Sequence, residues 1–247
     1  AARQLAVYPL AFFLSVAYSE APFMALVVGA FYLARRRQWW WSGVLACLAA
    51  LTRNEGVFLI LPLAWEFWQL EGFRWRPSAL ALLGAPMGLF AYMGYLQVIG
   101  LGAFDFMKAE ALGWGRITVT PWHALHVALS VLYHDQMHTL AFTYTFIDLA
   151  SAVMLGVGVI VMYRLHYRWS YIIWSAIMVL IPLMSVANGF YSPLRSMSRL
   201  ILPAFPLYIL LAQVSRRNRW WEQVTSLWFP GLQALFFTFW VLSFWIA

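Results

Sequence analysis

Charge is what this sequence has least of. Of its 247 residues only 10% are Asp, Glu, Lys or Arg, and 64% are hydrophobic. An ordinary soluble domain is about 45–50% apolar and about 25% charged. A water-soluble fold of this length cannot hide so much apolar surface. The scarcity of charge therefore excludes a soluble enzyme, a disordered chain and a nucleic-acid module, and the net charge of +7 does not restore the last of these. Cysteine is nearly absent: Cys47 stands alone, which excludes a disulfide framework and a cysteine-ligated zinc site. There is no charged leader followed by a cleavage site, so nothing reads as a signal peptide. The chain opens at Ala1 and ends within an apolar run at Trp245-Ile246-Ala247. The expectation is a fragment lacking its N-terminal part.

What is present is a series of apolar runs separated by short polar breaks. They predict an all-α, polytopic transmembrane bundle of about eight or nine spans, forming a single domain over 1–247. The runs fall at 5–18, 20–34, 39–52, 56–70, 78–99, 139–163, 169–187, 200–214 and 225–247. Several are short. The 39–52 run makes about 21 Å of helix, less than a hydrocarbon core of about 30 Å. It ends at Thr52-Arg53-Asn54-Glu55-Gly56, a polar break expected to line a cavity, because irregular backbone at membrane depth needs protein or water around it.

Sorting basic residues by side gives an orientation. Eleven fall on one side: Arg3, Arg35, Arg36, Arg37, Arg74, Arg76, Arg164, Arg168, Arg216, Arg217 and Arg219. Five fall on the other: Arg53, Lys108, Arg116, Arg195 and Arg199. The first set is expected in the cytoplasm, with Trp39, Trp40, Trp41, Trp220 and Trp221 as interface anchors beside it. The expected protein is integral and multi-pass, with its chemistry on the non-cytoplasmic face.

That outer face carries the remaining polar residues. Glu20, in Ala17-Tyr18-Ser19-Glu20, reads either as a hydrated helix N-terminus capped by Ser19 or as an acid, base or ligand facing a cavity. Arg53 and Glu55 read as a local ion pair or as part of a phosphate or carboxylate clamp. Arg195 and Arg199 run against the charge bias; an anionic ligand explains them, and so does snorkelling to headgroups. The loop over 100–138 predicts a surface-lying amphipathic segment near 103–112 and a second helix from Pro121 to Tyr133. His123 with His126, and His134 with His138, have spacings that can ligate a metal, but no matching acidic pair accompanies them. Asp148 reads as a polar contact between helices or as part of a site.

Four stretches resemble the PIG-V-type mannosyltransferases, the GPI mannosyltransferase II-like family of GT-C membrane glycosyltransferases. They are Tyr8 through Glu20, ending in Tyr-Ser-Glu; Gly43 through Gly56 with Leu51-Thr52-Arg53; Phe106-Met107-Lys108-Ala109-Glu110 followed by Trp114-Gly115-Arg116; and Ser196-Met197-Ser198-Arg199 with Phe205-Pro206-Leu207. They occur in the family's order and cover most of the chain. The resemblance implies a bacterial or archaeal homologue that moves a sugar, mannose first among candidates, from a polyprenyl-phosphate carrier to a glycan, lipid or protein acceptor. It implies an inverting displacement with the bilayer as a partner and no nucleic acid. It implies no certain cofactor and leaves room for a divalent metal. Glu20 is then a candidate acid/base or supporting carboxylate, and Tyr18, Ser19, Arg53, Glu55, Lys108, Trp114, Arg116, Arg195 and Arg199 bind substrate. The sequence departs from the family in two places: it has no outer-loop Trp-Asp, which carries the family's principal base, and it has Ser198-Arg199-Leu200 where Pro-Arg-Tyr is usual. The base is expected upstream of this chain. Two other readings stand beside this one: a transporter or flippase for a lipid-linked or anionic solute, and a non-catalytic subunit of a membrane complex. Against the transporter, the ionisable residues gather at one face and no internal repeat is visible.

Overall fold

A run of helices, many beginning or ending at a proline, glycine or polar break, makes up most of the chain. The computed structural model describes residues 1–72, 76–135, 137, 139–188, 192–242 and 244. Arg74, His138 and the Trp245-Ile246-Ala247 end lie outside the described residues. In chain order the helices are α1 (Ala2–Ala6), α2 (Glu20–Arg35), α3 (Trp39–Thr52), α4 (Ile60–Glu71), α5 (Gly84–Val98), α6 (Asp105–Trp114), α7 (Pro121–His134), α8 (Leu140–Arg164), α9 (Trp169–Leu183), α10 (Met197–Leu200), α11 (Phe205–Arg217), α12 (Arg219–Gln223) and α13 (Phe229–Val241). Tight 3-10 turns cover Ala11–Leu14, Asn54–Leu59 and Pro77–Leu83, the last two feeding directly into α4 and α5. Among the described residues three helical stretches are long and apolar enough to cross a membrane: Pro77–Val98, Leu140–Arg164 and Arg219–Val241.

Two features differ from the sequence expectation. The 5–18 run is not one helix. It stops after α1, whose C-cap is Val7, and resumes only as the Ala11–Leu14 turn. Pro9 lies in the gap, and proline disfavours helix both at its own position and at the residue before it. The second difference is a strand pair in a chain read as all-α: β1 (Arg116–Thr118) runs antiparallel to β2 (Ser185–Ala187), with Arg116 opposite Ala187. Trp39, one of the tryptophans expected beside the interface, has its side chain set among protein neighbours. It is buried, stacks edge-on against Phe67 and donates Nε1–H to Glu71 Oε1 at 3.2 Å.

Small residues let the central helices touch backbone to backbone. A Cβ on Gly84 would lie 2.1 Å from the Gly43 carbonyl oxygen, and one on Gly88 2.3 Å from that of Cys47. Only glycine permits α3 and α5 to approach this closely, the device that packs helices where lipid removes the hydrophobic drive. Between α2 and α3, Ala30, Ala34, Ala46 and Ala49 are buried, and Ser42 Oγ donates to the Ala30 carbonyl at 2.9 Å.

Two ionic layers sit at opposite ends of α2. At its C-terminal end the buried Glu66 accepts from Arg168 and from Ser170 Oγ, both at 2.7 Å, with Arg35 Nε at 3.5 Å. Nearby Glu71 takes Arg37 and Arg76. Glu20 opens the other end, about 22 Å away along the helix axis.

Candidate functional site

The chain breaks at the N-terminal end of α2 place four segments around one cavity of about 500 Å³. Tyr18, Ser19 and Glu20 come from the start of α2; Thr52, Arg53, Asn54, Glu55 and Phe58 from the break after α3. Glu110, Trp114 and Arg116 come from α6 and β1; Arg195, Ser196, Arg199 and Leu200 from the segment entering α10. Every residue expected to bind substrate lines it except Lys108. That lysine is mostly exposed and pairs with Asp105 at 2.7 Å, one helical turn earlier.

The break after α3 is made by Arg53, whose extended backbone (φ −149°, ψ 140°) ends the helix. The following turn folds back so closely that a Cβ on Gly56 would lie 2.5 Å from the Ala50 nitrogen. This fold-back brings Glu55 beside Arg53. The guanidinium meets Glu55 with both ends of its fork, at 3.4 Å through Nε and 3.3 Å through its second terminal nitrogen. Its first terminal nitrogen donates to Glu20 Oε1 at 2.9 Å and to Ser19 Oγ at 3.4 Å. Ser19 precedes α2 without a side-chain capping bond; its hydroxyl serves Arg53 instead. Arg53 therefore joins both carboxylates, and the local pair with Glu55 belongs to a wider network.

Glu20 is the centre of that network. It is 1% exposed, and Arg199 Nε lies 3.2 Å from the same Oε1 that Arg53 occupies. Its other oxygen, Oε2, is buried with no hydrogen-bond partner among the described residues. Aromatic faces flank the cations. Arg199 lies 5.1 Å from the Tyr18 ring centre, and Arg195 lies 4.8 Å from that of Trp114, distances at which cation–π attraction operates.

The lining carries four guanidiniums (Arg53, Arg116, Arg195, Arg199) against three carboxylates (Glu20, Glu55, Glu110). Burial opposes the charge on Arg53, but Glu55 and Glu20 outweigh it and raise its pKa. Burial would likewise raise that of Glu55, and Arg53 more than reverses this, holding it below the ordinary carboxylate value. Arg199 is lowered: burial leads, and repulsion from Arg53 and Arg116 adds to it against the pull of Glu20. Arg195 is lowered by burial first, then by Arg116 and Arg199. Positive charge is thus crowded on the Arg195–Arg199 side, where an anion would relieve it.

The arginine-bearing segment 192–199 is held from several directions. Arg116 donates to the Arg195 carbonyl at 2.9 Å, and the Ala187 N–H donates to the Pro193 carbonyl at 2.9 Å. Ser196 sits in the left-handed region (φ 65°, ψ 15°), which costs a non-glycine residue about 1–2 kcal/mol. From α8 the buried Asp148 accepts from Ser192 Oγ at 2.7 Å and from Ser198 N–H and Oγ, both at 3.1 Å. Sequence reading did not connect Asp148 to this segment, and it left Glu110 out of the binding set. Among the described residues no group of three or more His, Cys, Asp or Glu side chains could hold a metal. His134 is engaged locally through Nδ1 and the Ser130 carbonyl, 2.9 Å apart.

No protein-family model, no curated protein and no solved structure matches this chain.

Proposed function

We propose that this is a GT-C-type glycosyltransferase, a multi-pass membrane protein of eight or nine spans whose cavity opens on the non-cytoplasmic face and takes a polyprenyl-phosphate sugar, mannose first, as donor. One observation carries the reading: in a chain only 10% charged, four arginines from separate segments converge on one cavity, around a carboxylate with one oxygen uncommitted among the described residues. In the inverting displacement, the acceptor oxygen forms a bond to the anomeric carbon as the carbon–oxygen bond to phosphate breaks. The electron pair leaves with the lipid phosphate. Planar guanidiniums suit that developing dianion, and their placement before reaction is what lowers the barrier.

Glu20 serves this site as the supporting carboxylate. Its Oε1 is taken up by both arginines, so its role is to fix Arg53 and Arg199 in place. The acceptor hydroxyl gives up its proton as its bond to the anomeric carbon forms, and the departing phosphate, which leaves as a dianion, can take it up. The test is transfer of labelled sugar by the full-length protein in membranes supplied with defined polyprenyl-phosphate sugars. Arg199→Ala is expected to lower transfer by about 100-fold while folded yield falls far less. Equal loss of yield and transfer would make the arginine structural. Movement of the intact lipid across the bilayer without a covalent product would make the protein a transporter.

A further inference from the structure

We propose that Asp148 is the positioning residue for the arginine pair: from α8 it sets the backbone of 192–199 so that Arg195 and Arg199 face the cavity. Four observations carry this. Asp148 is buried, and its carboxylate takes bonds on both sides of the turn, Oδ2 from Ser192 and Oδ1 twice from Ser198. The residue between them, Ser196, holds a left-handed conformation that a serine does not keep without outside restraint. Arg195 and Arg199 lie on either side of Ser196, so the direction of both side chains depends on that turn. Finally, Asp148 is absent from the cavity lining, so it reaches a ligand only through the segment it holds.

Hydrogen-bond chemistry supplies a sharp variant. In Asp148→Asn the amide oxygen still accepts twice from Ser198, and the amide nitrogen can donate to Ser192 Oγ, reversing that one bond. All three links survive without the charge. Asp148→Ala removes them all. Positioning therefore predicts that asparagine is tolerated and alanine is not.

The proposal rests on the reading given under Proposed function only for what the two arginines bind, so it is tested by two independent measurements. The first is limited trypsin digestion of the purified full-length protein, with mass spectrometry of the cut sites. Trypsin cuts after arginine, and the bonds after Arg195 and Arg199 lie in a segment packed among Ser192, Leu194, Ser196, Met197 and Ser198, all buried. Arg36, exposed at the end of α2, is the internal reference. Asp148→Ala should speed cutting after Arg195 and Arg199 by about tenfold relative to Arg36, the scale of losing hydrogen bonds to a charged group, and Asp148→Asn should match wild type. Where the alanine variant yields no folded protein, Ser192→Ala/Ser198→Ala is digested in its place; it removes both hydroxyl links, keeps the Ser198 N–H bond, and should show a smaller opening in the same direction. The second measurement is transfer from the polyprenyl-phosphate sugar, where Asp148→Ala should raise the donor KM and Asp148→Asn should not. Unchanged protection in the alanine or double-serine variant overturns the proposal. So does an asparagine variant that opens like alanine, because the charge and not the three links would then be the cause. Wild-type protein that transfers nothing, with digestion behaving as stated, defeats the transferase reading and leaves the positioning role in force.

Discussion

Glu55 shows how one side chain at this site answers to solution conditions. Its pKa is held below the ordinary value of 4.5 by Arg53, against the effect of burial. A carboxyl with a depressed folded-state pKa stabilises the fold fully above its unfolded value and loses that contribution as pH falls through the folded one. The difference in melting temperature between wild type and Glu55→Gln should therefore be constant above about pH 5 and shrink below it. Thermal unfolding in detergent across pH 6 to 3 measures this; a difference independent of pH would mean Glu55 is not charged against Arg53. At this scale much of the site was legible in the sequence. Charge is so scarce that sorting it by side already grouped Glu20, Arg53, Arg195 and Arg199. Lys108 stays out of the cavity lining for a reason of helix geometry. Glu110 and Trp114, four residues apart, share the face of α6 that meets the cavity, whereas Lys108 projects about 200° around the axis from Glu110. The hold of Asp148 on Ser192 and Ser198 spans 44 and 50 residues, and nothing local announces a contact at that range.

Elements were legible where composition changes at their ends. The 39–52 run coincides with α3, because three tryptophans open it and a polar break closes it. The Ala11–Leu14 turn was missed because an apolar average conceals Pro9, although the proline itself was a usable signal. The β1–β2 pair is three residues long on each side, too short for alternation to show. Between elements, the α3–α5 contact gives a paired prediction. Gly84→Val places a side chain 2.1 Å from the Gly43 carbonyl, where only backbone can give way, and should cost about 1–3 kcal/mol. Gly94→Ala, on the same α5 with nothing within 4 Å of its new Cβ, should be neutral or stabilise by up to about 1 kcal/mol. Thermal or denaturant unfolding of the two variants checks both signs.

Across the whole molecule, the ionic layers at the two ends of α2 have different chemistry. Around Glu66 the arginines are more than a third exposed, with water to fall back on, and the carboxylate is fully committed to Arg168 and Ser170. Around Glu20 the arginines are 13% exposed, and one carboxylate oxygen has no partner among the described residues. The first layer ties α2, α4 and α9 together; the second faces a cavity. Glu66→Ala should therefore lower stability by about 1–3 kcal/mol, chiefly by stranding the buried Ser170 hydroxyl, and leave the donor KM unchanged. Arg53→Lys should raise that KM with a smaller effect on melting, since an ammonium cannot reproduce the forked contact with Glu55. Reversed effects would exchange the roles of the two layers. The number of membrane crossings is the part of the architecture that composition alone reaches least well. Apolar runs mark where the chain avoids water, but many of these helices are short and interrupted.

Glu20 gives the cavity an internal placeholder. Its Oε1 already occupies the position between Arg53 and Arg199 that a ligand oxygen would seek. A phosphate arriving as proposed would meet cations that are already half-satisfied, so its attraction is the difference between two anions competing for one pair of arginines. A site arranged this way gives up tightness of capture and gains ease of release. On the proposed reaction, that favours the spent carrier leaving once its sugar is gone, with the same carboxylate closing the gap behind it.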